Sequence, residues 1–456
     1  MDGAVRITEV VDRSRLSGFQ RRVLAICCLL TFADGLNALS IGYTIPALAQ
    51  DFRTGPEAFA IVVVAALVGE LVAEFVLVPL ADVVGRRRVM RFGILLFGVA
   101  TVLCFLAGSV TELAVLRFLA GIGVGASVPT CAALAAEFTP SRLKATIQTV
   151  VSVGAAGGGM VIGFIAAAVV PRFGGATLLL IAGALPLLLL LATWFLLPES
   201  IEFLARKRRY PTVALLLGRV DPTRSYPIEG PYPVEGPTGP GGLRRIGVLF
   251  RDGFAGRTLT VWFMLFFALF TSYFIFSWLP SLLGRAGVGE AGAALATSVA
   301  SLGGILGGIT LGVLMDRLRP RAAMIAAGPV VQIVAAILLV LALGAGAPDG
   351  LVVLIAFFYG FGSLGTASAV TALAALAYPT PIRAIGLGWA TGFSRIGGLF
   401  APALGGALIA AGLPTPTILA ISLAAPVVVG ALAVVYRVAE VRRSRSVRLA
   451  PTSVLS

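Results

Sequence analysis

The stretch Val78-Pro79-Leu80-Ala81-Asp82-Val83-Val84-Gly85-Arg86-Arg87 closes one long apolar run, and Gly312-Val313-Leu314-Met315-Asp316-Arg317-Leu318-Arg319-Pro320-Arg321 closes another. In both, an acidic residue at the end of an apolar segment leads into a short basic turn. A second pair echoes the first: Thr139-Pro140-Ser141-Arg142 and Thr380-Pro381-Ile382-Arg383. Counted by apolar runs, the first pair follows the second and the eighth, and the second pair ends the fourth and the tenth. Matching motifs at matching places in two sets of six imply a duplicated bundle, and duplicated membrane bundles of this kind place their ligand near the midplane between the halves.

The runs themselves fall at 20–48, 58–82, 89–110, 112–138, 146–170 and 176–197, then at 258–283, 291–316, 321–345, 349–378, 382–412 and 414–436. Each exceeds the roughly 18 residues that mark a crossing of about 30 Å of hydrocarbon. The 456 residues are 58% hydrophobic and 12% charged, where a soluble protein carries about 25% charged residues. Mean hydropathy is +0.99. The expected fold is an all-α polytopic membrane protein with twelve transmembrane helices in two six-helix bundles. The expected domains are a cytoplasmic N-terminal segment at 1–19, a first bundle at 20–197, a Pro/Gly-rich cytoplasmic linker at 198–257, a second bundle at 258–436 and a basic cytoplasmic tail at 437–456. No removable signal peptide is read before the first run, which is taken as its own anchor.

A formal charge of +14 raises the question of nucleic acid, and position answers it. Arginine and lysine gather in alternate loops: Arg86-Arg87-Arg88, Arg206-Lys207-Arg208-Arg209, Arg244-Arg245, Arg317 with Arg319 and Arg321, and Arg442-Arg443-Ser444-Arg445. The other loops hold little beyond Arg53, Arg172 and Arg285. This is the positive-inside pattern; it places both termini in the cytoplasm and the chain in a plasma membrane, with the lipid bilayer rather than nucleic acid as its partner. Cys27, Cys28, Cys104 and Cys131 all fall inside apolar runs and read as small hydrophobes rather than a disulfide framework. In the linker, Tyr226-Pro227-Ile228-Glu229-Gly230-Pro231 is repeated at once as Tyr232-Pro233-Val234-Glu235-Gly236-Pro237. Proline at this density excludes helix and favours extended, solvated chain, a tether or a partner's docking site.

Charged residues inside the runs carry the chemistry. Asp34 lies mid-run with Asn37 one turn beyond it, and a carboxylate at bilayer depth costs about 2.5–3.5 kcal/mol even on lenient insertion scales. Such a group is kept where it lines a polar site, meets a partner or carries protons. The chain has no histidine, so a proton path must use carboxylates, and the candidates are Asp34, Glu70, Glu74 and Glu137. Glu70 and Glu74, at i and i+4, repel each other if both are charged. Arg117 and Arg395 also lie within runs. A buried guanidinium must be paired, and its planar fork suits a carboxylate ligand; the alternative for each is a salt bridge to Asp34 or Glu137. Arg395, near mid-run, is assigned to an organic anion, with Asn37, Tyr273, Trp278, Trp389 and Phe393 beside it as substrate-binding candidates. Asp82, Gly85, Arg86, Arg87, Asp316 and Arg317 are read as a cytoplasmic gate, because charge-assisted bonds between helix ends must break when that side opens. Glycine pairs at four-residue spacing (Gly121/Gly125, Gly303/Gly307, Gly304/Gly308, Gly388/Gly392) read as close helix contacts. The chain has no phosphate-binding G-x-x-x-x-G-K-[ST] motif and no Ser/His triad, so it carries no ATP motor of its own and an enzyme is not expected. Neither a cofactor nor a metal site is expected.

The six-plus-six plan with its repeated Asp-Arg loop resembles the major facilitator superfamily, and several segments are similar to its aromatic acid:proton symporter family. Those segments are Asp34-Gly35-Leu36-Asn37; Arg117-Phe118-Leu119 leading into Gly121, Gly123 and Gly125; Glu137 with Pro140 and Arg142; Leu197-Pro198-Glu199-Ser200; Ser277-Trp278-Leu279-Pro280; and Tyr378-Pro379-Thr380 with Arg383, Gly386, Trp389 and Arg395-Ile396-Gly397. The chain departs from the family pattern at Asn37, where a second carboxylate is usual, at Val78 and Val83 in the first loop, and at Glu70 and Glu74. The resemblance implies a monomeric secondary transporter that takes up a small aromatic or related organic carboxylate with protons by alternating access. Asp34 would then carry protons and Arg117 would couple their movement to conformation. A proton-driven exporter of the same fold, or a transporter-like receptor, are the alternatives.

Overall fold

A computed structural model of the chain describes residues 6–233, 243–251, 254–317, 321–378 and 380–449. Twelve helices among the described residues are long and apolar enough to cross a membrane. The chain divides into two compact units, Met1–Thr238 and Gly239–Ser456.

The first unit begins with a short helix, α1 (Ile7–Arg13), followed by α2 (Gly18–Asp51), α3 (Ala60–Val84), α4 (Arg86–Leu103), α5 (Val110–Glu137), α6 (Lys144–Phe173) and α7 (Gly175–Leu196). Their ends follow from local chemistry. Ser17 and Gln20 make a reciprocal capping box that starts α2, and the Gln20 amide also donates to the Phe138 carbonyl at 2.9 Å. This ties the start of α2 to the end of α5. Ser109 caps α5 by accepting from the Glu112 amide. Between α3 and α4 the chain reverses on a single residue, Gly85, whose φ of +114° disfavours any side chain.

The second unit holds α10 (Ala255–Arg285), α11 (Glu290–Arg317), α12 (Arg321–Gly344), α13 (Asp349–Ala377), α14 (Thr380–Ala410), α15 (Thr415–Ser422) and α16 (Ala424–Leu449). The last crossing, Thr415–Glu440, matches the run expected at 414–436 and is broken once, at Leu423, between α15 and α16.

Each unit is closed by the same device. A Cβ at Gly121 of α5 would collide with the Ala66 carbonyl of α3, and one at Gly360 of α13 with the Ala300 carbonyl of α11. Gly123 likewise abuts Gly93 of α4, and Gly362 abuts Gly328 of α12. Without side chains at these points the backbones can touch, which is the packing that binds helices where lipid removes the hydrophobic drive. Gly125, Gly303 and Gly307 join these seams, and Gly304 and Gly308 pack on the side chains of Leu364 and Ser368. Gly388 and Gly392 do not: a Cβ at either would meet open space. They lie on an exposed face of α14, so four-residue spacing alone misread them as a packing pair.

The segment read as linker begins with folded structure. After α7 come α8 (Ile201–Arg206) and α9 (Tyr210–Val220), with Val213, Leu216, Leu217 and Val220 at helical spacing buried in the first unit. Tyr232 is buried there too, its hydroxyl donating to the Pro227 carbonyl at 2.7 Å and its ring 6.0 Å from that of Tyr210. Residues 226–233 are non-helical but lie on the unit rather than free of it; proline density reported the backbone state and missed the anchoring tyrosine. The rest of the repeat, from Val234, lies outside the described residues.

Candidate functional site

In the first unit a buried polar centre forms where α2, α4 and α5 meet. Arg117 is 2% exposed, and its two terminal nitrogens donate to Asn37, to Oδ1 at 2.5 Å and to the main-chain oxygen at 3.1 Å. Thr101 of α4 donates to the same Oδ1 at 3.2 Å. Asn37 thus fills the acceptor place that a carboxylate would take, but it supplies no charge. The sequence reading named Asn37 and Arg117 and missed Thr101; its only signal was a hydroxyl in an apolar run. Asp34, one turn back on α2, is half-buried and shares its flank with the exposed Ala38.

Glu70 and Glu74 are half-buried on α3. With about 100° between successive residues, they share a flank with Leu67, Leu71 and Val78, turned away from the exposed Val72, Phe75, Val76 and Val83. Glu137, grouped from sequence with Asp34 and Arg117, stands apart from them. It lies twenty residues beyond Arg117 on α5, about 30 Å at 1.5 Å per residue, and its partners are Arg86 and Ser200.

Those partners build the second constellation. Arg86 forms an ion pair with Glu137 and lies 3.5 Å from Asp82. Ser200 donates to both Glu137 oxygens, at 2.7 and 3.0 Å, while its own oxygen accepts the Phe203 amide that starts α8. Glu199 accepts the Arg87 amide at 3.0 Å, and its carboxylate would meet a Cβ at Gly85. Arg87 and Arg91 reach the carbonyls that end α7, at Thr193 and Trp194, where the helix dipole is negative, and Arg91 also covers the Trp194 ring at 4.1 Å. The ends of α3, α4, α5 and α7 are thereby fastened to α8. Asp82, Gly85, Arg86 and Arg87 come together as the sequence reading grouped them, with Glu137, Glu199, Ser200 and Arg91 added. In the second unit Arg317 ends α11 and is exposed; the Asp316 side chain lies outside the described residues.

The aromatic candidates of the second unit separate. Trp278 is fully buried, its indole N–H donated to the Pro402 carbonyl at 3.1 Å and its ring seated over Gly405. It is a core residue joining α10 to α14, not a surface for a ligand. Trp389 and Phe393 belong to an aromatic stack: Trp389 lies 6.4 Å and Phe393 5.5 Å from Trp262, with Phe263 and Phe266 against Phe393. Both side chains are half-buried within this α10–α14 stack. Tyr273 packs on Gly398, three residues from Arg395, so these two remain together, both half-buried.

Twelve apolar crossings shared between two units closed by the same glycine seams, with ionisable side chains inside them, define a membrane transporter rather than an enzyme. The chain belongs to the major facilitator superfamily, whose sequence profile matches residues 27–345 and 261–456. It is 32% identical over 442 residues to a gallate transporter of Pseudomonas putida, covering 95% of each chain. It is 31% identical to a 4-hydroxybenzoate transporter of Acinetobacter baylyi, covering 88% of this chain and 87% of the relative. A benzoate transport protein of the same organism is 29% identical, with 91% and 89% covered. These relatives are the aromatic acid transporters to which the sequence motifs pointed. Among solved structures, a bacterial homologue of the lysosomal transporter Spinster superposes with TM-score 0.68 at 16% identity, covering 92% of this chain and 97% of that one. The xylose transporter of E. coli gives 0.64 at 16%, covering 92% and 96%; both speak for the fold alone.

Proposed function

We propose that the chain imports an aromatic carboxylate together with protons across the inner membrane of a bacterium, acting as a monomer with both termini in the cytoplasm. The observation that carries this reading is the likeness, over 95% of both chains, to a gallate transporter. Arg395 binds the carboxylate, since a guanidinium fork matches a planar anion in two parallel bonds, and Tyr273 at the neighbouring turn borders the ring. Asp34 carries the proton. With the anion on Arg395 and the proton on Asp34, neither side chain keeps an uncompensated charge, which lowers the cost of exposing it to the membrane interior during the change of access. Arg117, held by Asn37 one turn from Asp34, with Thr101 bracing the Asn37 oxygen, links the proton to helix position. The Arg86–Glu137–Ser200 cluster latches the cytoplasmic end, and the concentration of arginine at that end supports the orientation.

The test is uptake of 4-hydroxybenzoate and of gallate by proteoliposomes under an imposed inward proton gradient. The wild-type chain accumulates one or both, and Asp34→Asn abolishes accumulation. Accumulation undiminished in that variant contradicts the proton role.

A further inference from the structure

The basic end of α4 carries more positive charge than its neighbours balance. Arg87 and Arg91 stand one turn apart, where like charges repel, and both donate to the carbonyls that end α7. A helix end presents about half an elementary negative charge, set here against two full positive ones. Asp82 and Glu137 go to Arg86, and Glu199 is taken up by the amides of Arg87 and Ser200, each at 3.0 Å. Among the described residues neither Arg87 nor Arg91 forms an ion pair, and each commits only one terminal nitrogen to α7. The pair sits at the mouth of an antiparallel seam. Arg91 covers Trp194, a Cβ at Gly98 would meet Leu187, and one at Gly183 would meet Val102. In that register Leu95 of α4 and Leu191 of α7 lie one turn inside the Arg91–Trp194 contact. Leu95, Leu191 and Trp194 are all exposed, so apolar surface continues along the seam from the two guanidinium groups.

We infer that Arg87 and Arg91 bind the phosphate of an anionic phospholipid whose acyl chains lie along the α4–α7 seam over Leu95 and Leu191. Basic pockets between membrane helices hold anionic headgroups in this way, and a guanidinium fork matches phosphate oxygens. Trp194 beside them is the kind of ring that collects where membrane meets water. The occupant is a lipid rather than free phosphate because the charged mouth opens onto exposed apolar side chains. The site belongs to the first unit and does not depend on the proton-symport reading.

Full-length chain, purified in detergent and stripped of lipid, is titrated with dioleoyl phosphatidylglycerol, dioleoyl phosphatidylcholine or inorganic phosphate. Bound lipid is counted by native mass spectrometry and the thermal midpoint is followed alongside. Phosphatidylglycerol stays bound and raises the midpoint, and the other two do neither. Arg91→Gln weakens phosphatidylglycerol binding about tenfold, as loss of one charge-assisted bond predicts. Arg206→Gln, which removes an equal charge from the exposed end of α8, leaves binding unchanged. Equal losses in the two variants would reduce the site to diffuse attraction and overturn it. Equal binding of phosphatidylcholine, or a midpoint raised as far by inorganic phosphate, would overturn the anionic lipid as its occupant. If Arg91→Gln yields no folded protein, a photoreactive phosphatidylglycerol on the wild-type chain decides: cross-links within 87–95 and 188–196 support the site, and cross-links confined to other segments overturn it.

Discussion

Asn37 and Arg117 show how one side chain sets the terms for another. An asparagine keeps the acceptor geometry of a carboxylate without its charge, so the arginine stays oriented but not neutralised. Ser200 works at the other end of the unit by donating to both Glu137 oxygens and capping α8 at once. Ser200→Ala removes a bond to a charged acceptor, about 1.5–3 kcal/mol, and should lower the thermal midpoint of the purified chain; an unchanged midpoint would mean the Arg86–Glu137 pair stands without it. At Arg395, the residue proposed to bind the carboxylate, replacement by glutamine deletes the guanidinium fork, so half-saturation for uptake should rise about tenfold to hundredfold, as loss of a charge-assisted bond predicts. Lysine there should recover part of the loss, because it restores the charge but not the paired geometry. The sequence made Asp34, Asn37, Arg117 and Arg395 legible because charge is rare in hydrocarbon. It left Thr101 and Ser200 unassigned, since a hydroxyl costs little to bury and leaves no mark in composition. It also counted Trp278 as a ligand residue, although that ring lies in the core, because an aromatic ring in a span has the same letter whether it packs or binds.

At the scale of the element, helix contacts were legible only where spacing met a partner. Gly121/Gly125 and Gly388/Gly392 have the same pattern, yet the first pair touches α3 backbone and the second faces open space. Gly121→Leu should therefore prevent the first unit from folding, while Gly388→Leu should leave the yield of folded, monodisperse protein unchanged. Comparable losses from both would deny that distinction. The short helix α1 adds a contact that the sequence did not announce: Asp12 accepts from the Ser141 amide at 2.6 Å and hydroxyl at 2.8 Å, and Arg142 donates to the Ser14 carbonyl. The N-terminal segment thereby holds the turn between α5 and α6. Its role was hidden because a seven-residue amphipathic helix is too short to show a period, and the same holds for α8 in the segment read as linker.

For the whole molecule, duplication was legible in the paired Asp-Arg and Thr-Pro turns and reappears as paired glycine seams. The two units share their packing and differ in their charge. Where α5 carries Arg117 ahead of its seam, the matching turn of α13 carries Ala356 at the same spacing before Gly360, and the membrane carboxylates Asp34, Glu70 and Glu74 all belong to the first unit. This asymmetry supports a division of labour, with protons handled in the first unit and the anion bound by Arg395 in the second. The most direct measurement is proton flow caused by substrate. Wild-type proteoliposomes are held without an imposed gradient, 4-hydroxybenzoate is added outside, and external pH is followed. Symport predicts that the outside turns alkaline as protons enter with the anion, and that Asp34→Asn removes the response. Acidification of the outside, or transport of substrate with no proton movement, would contradict the account.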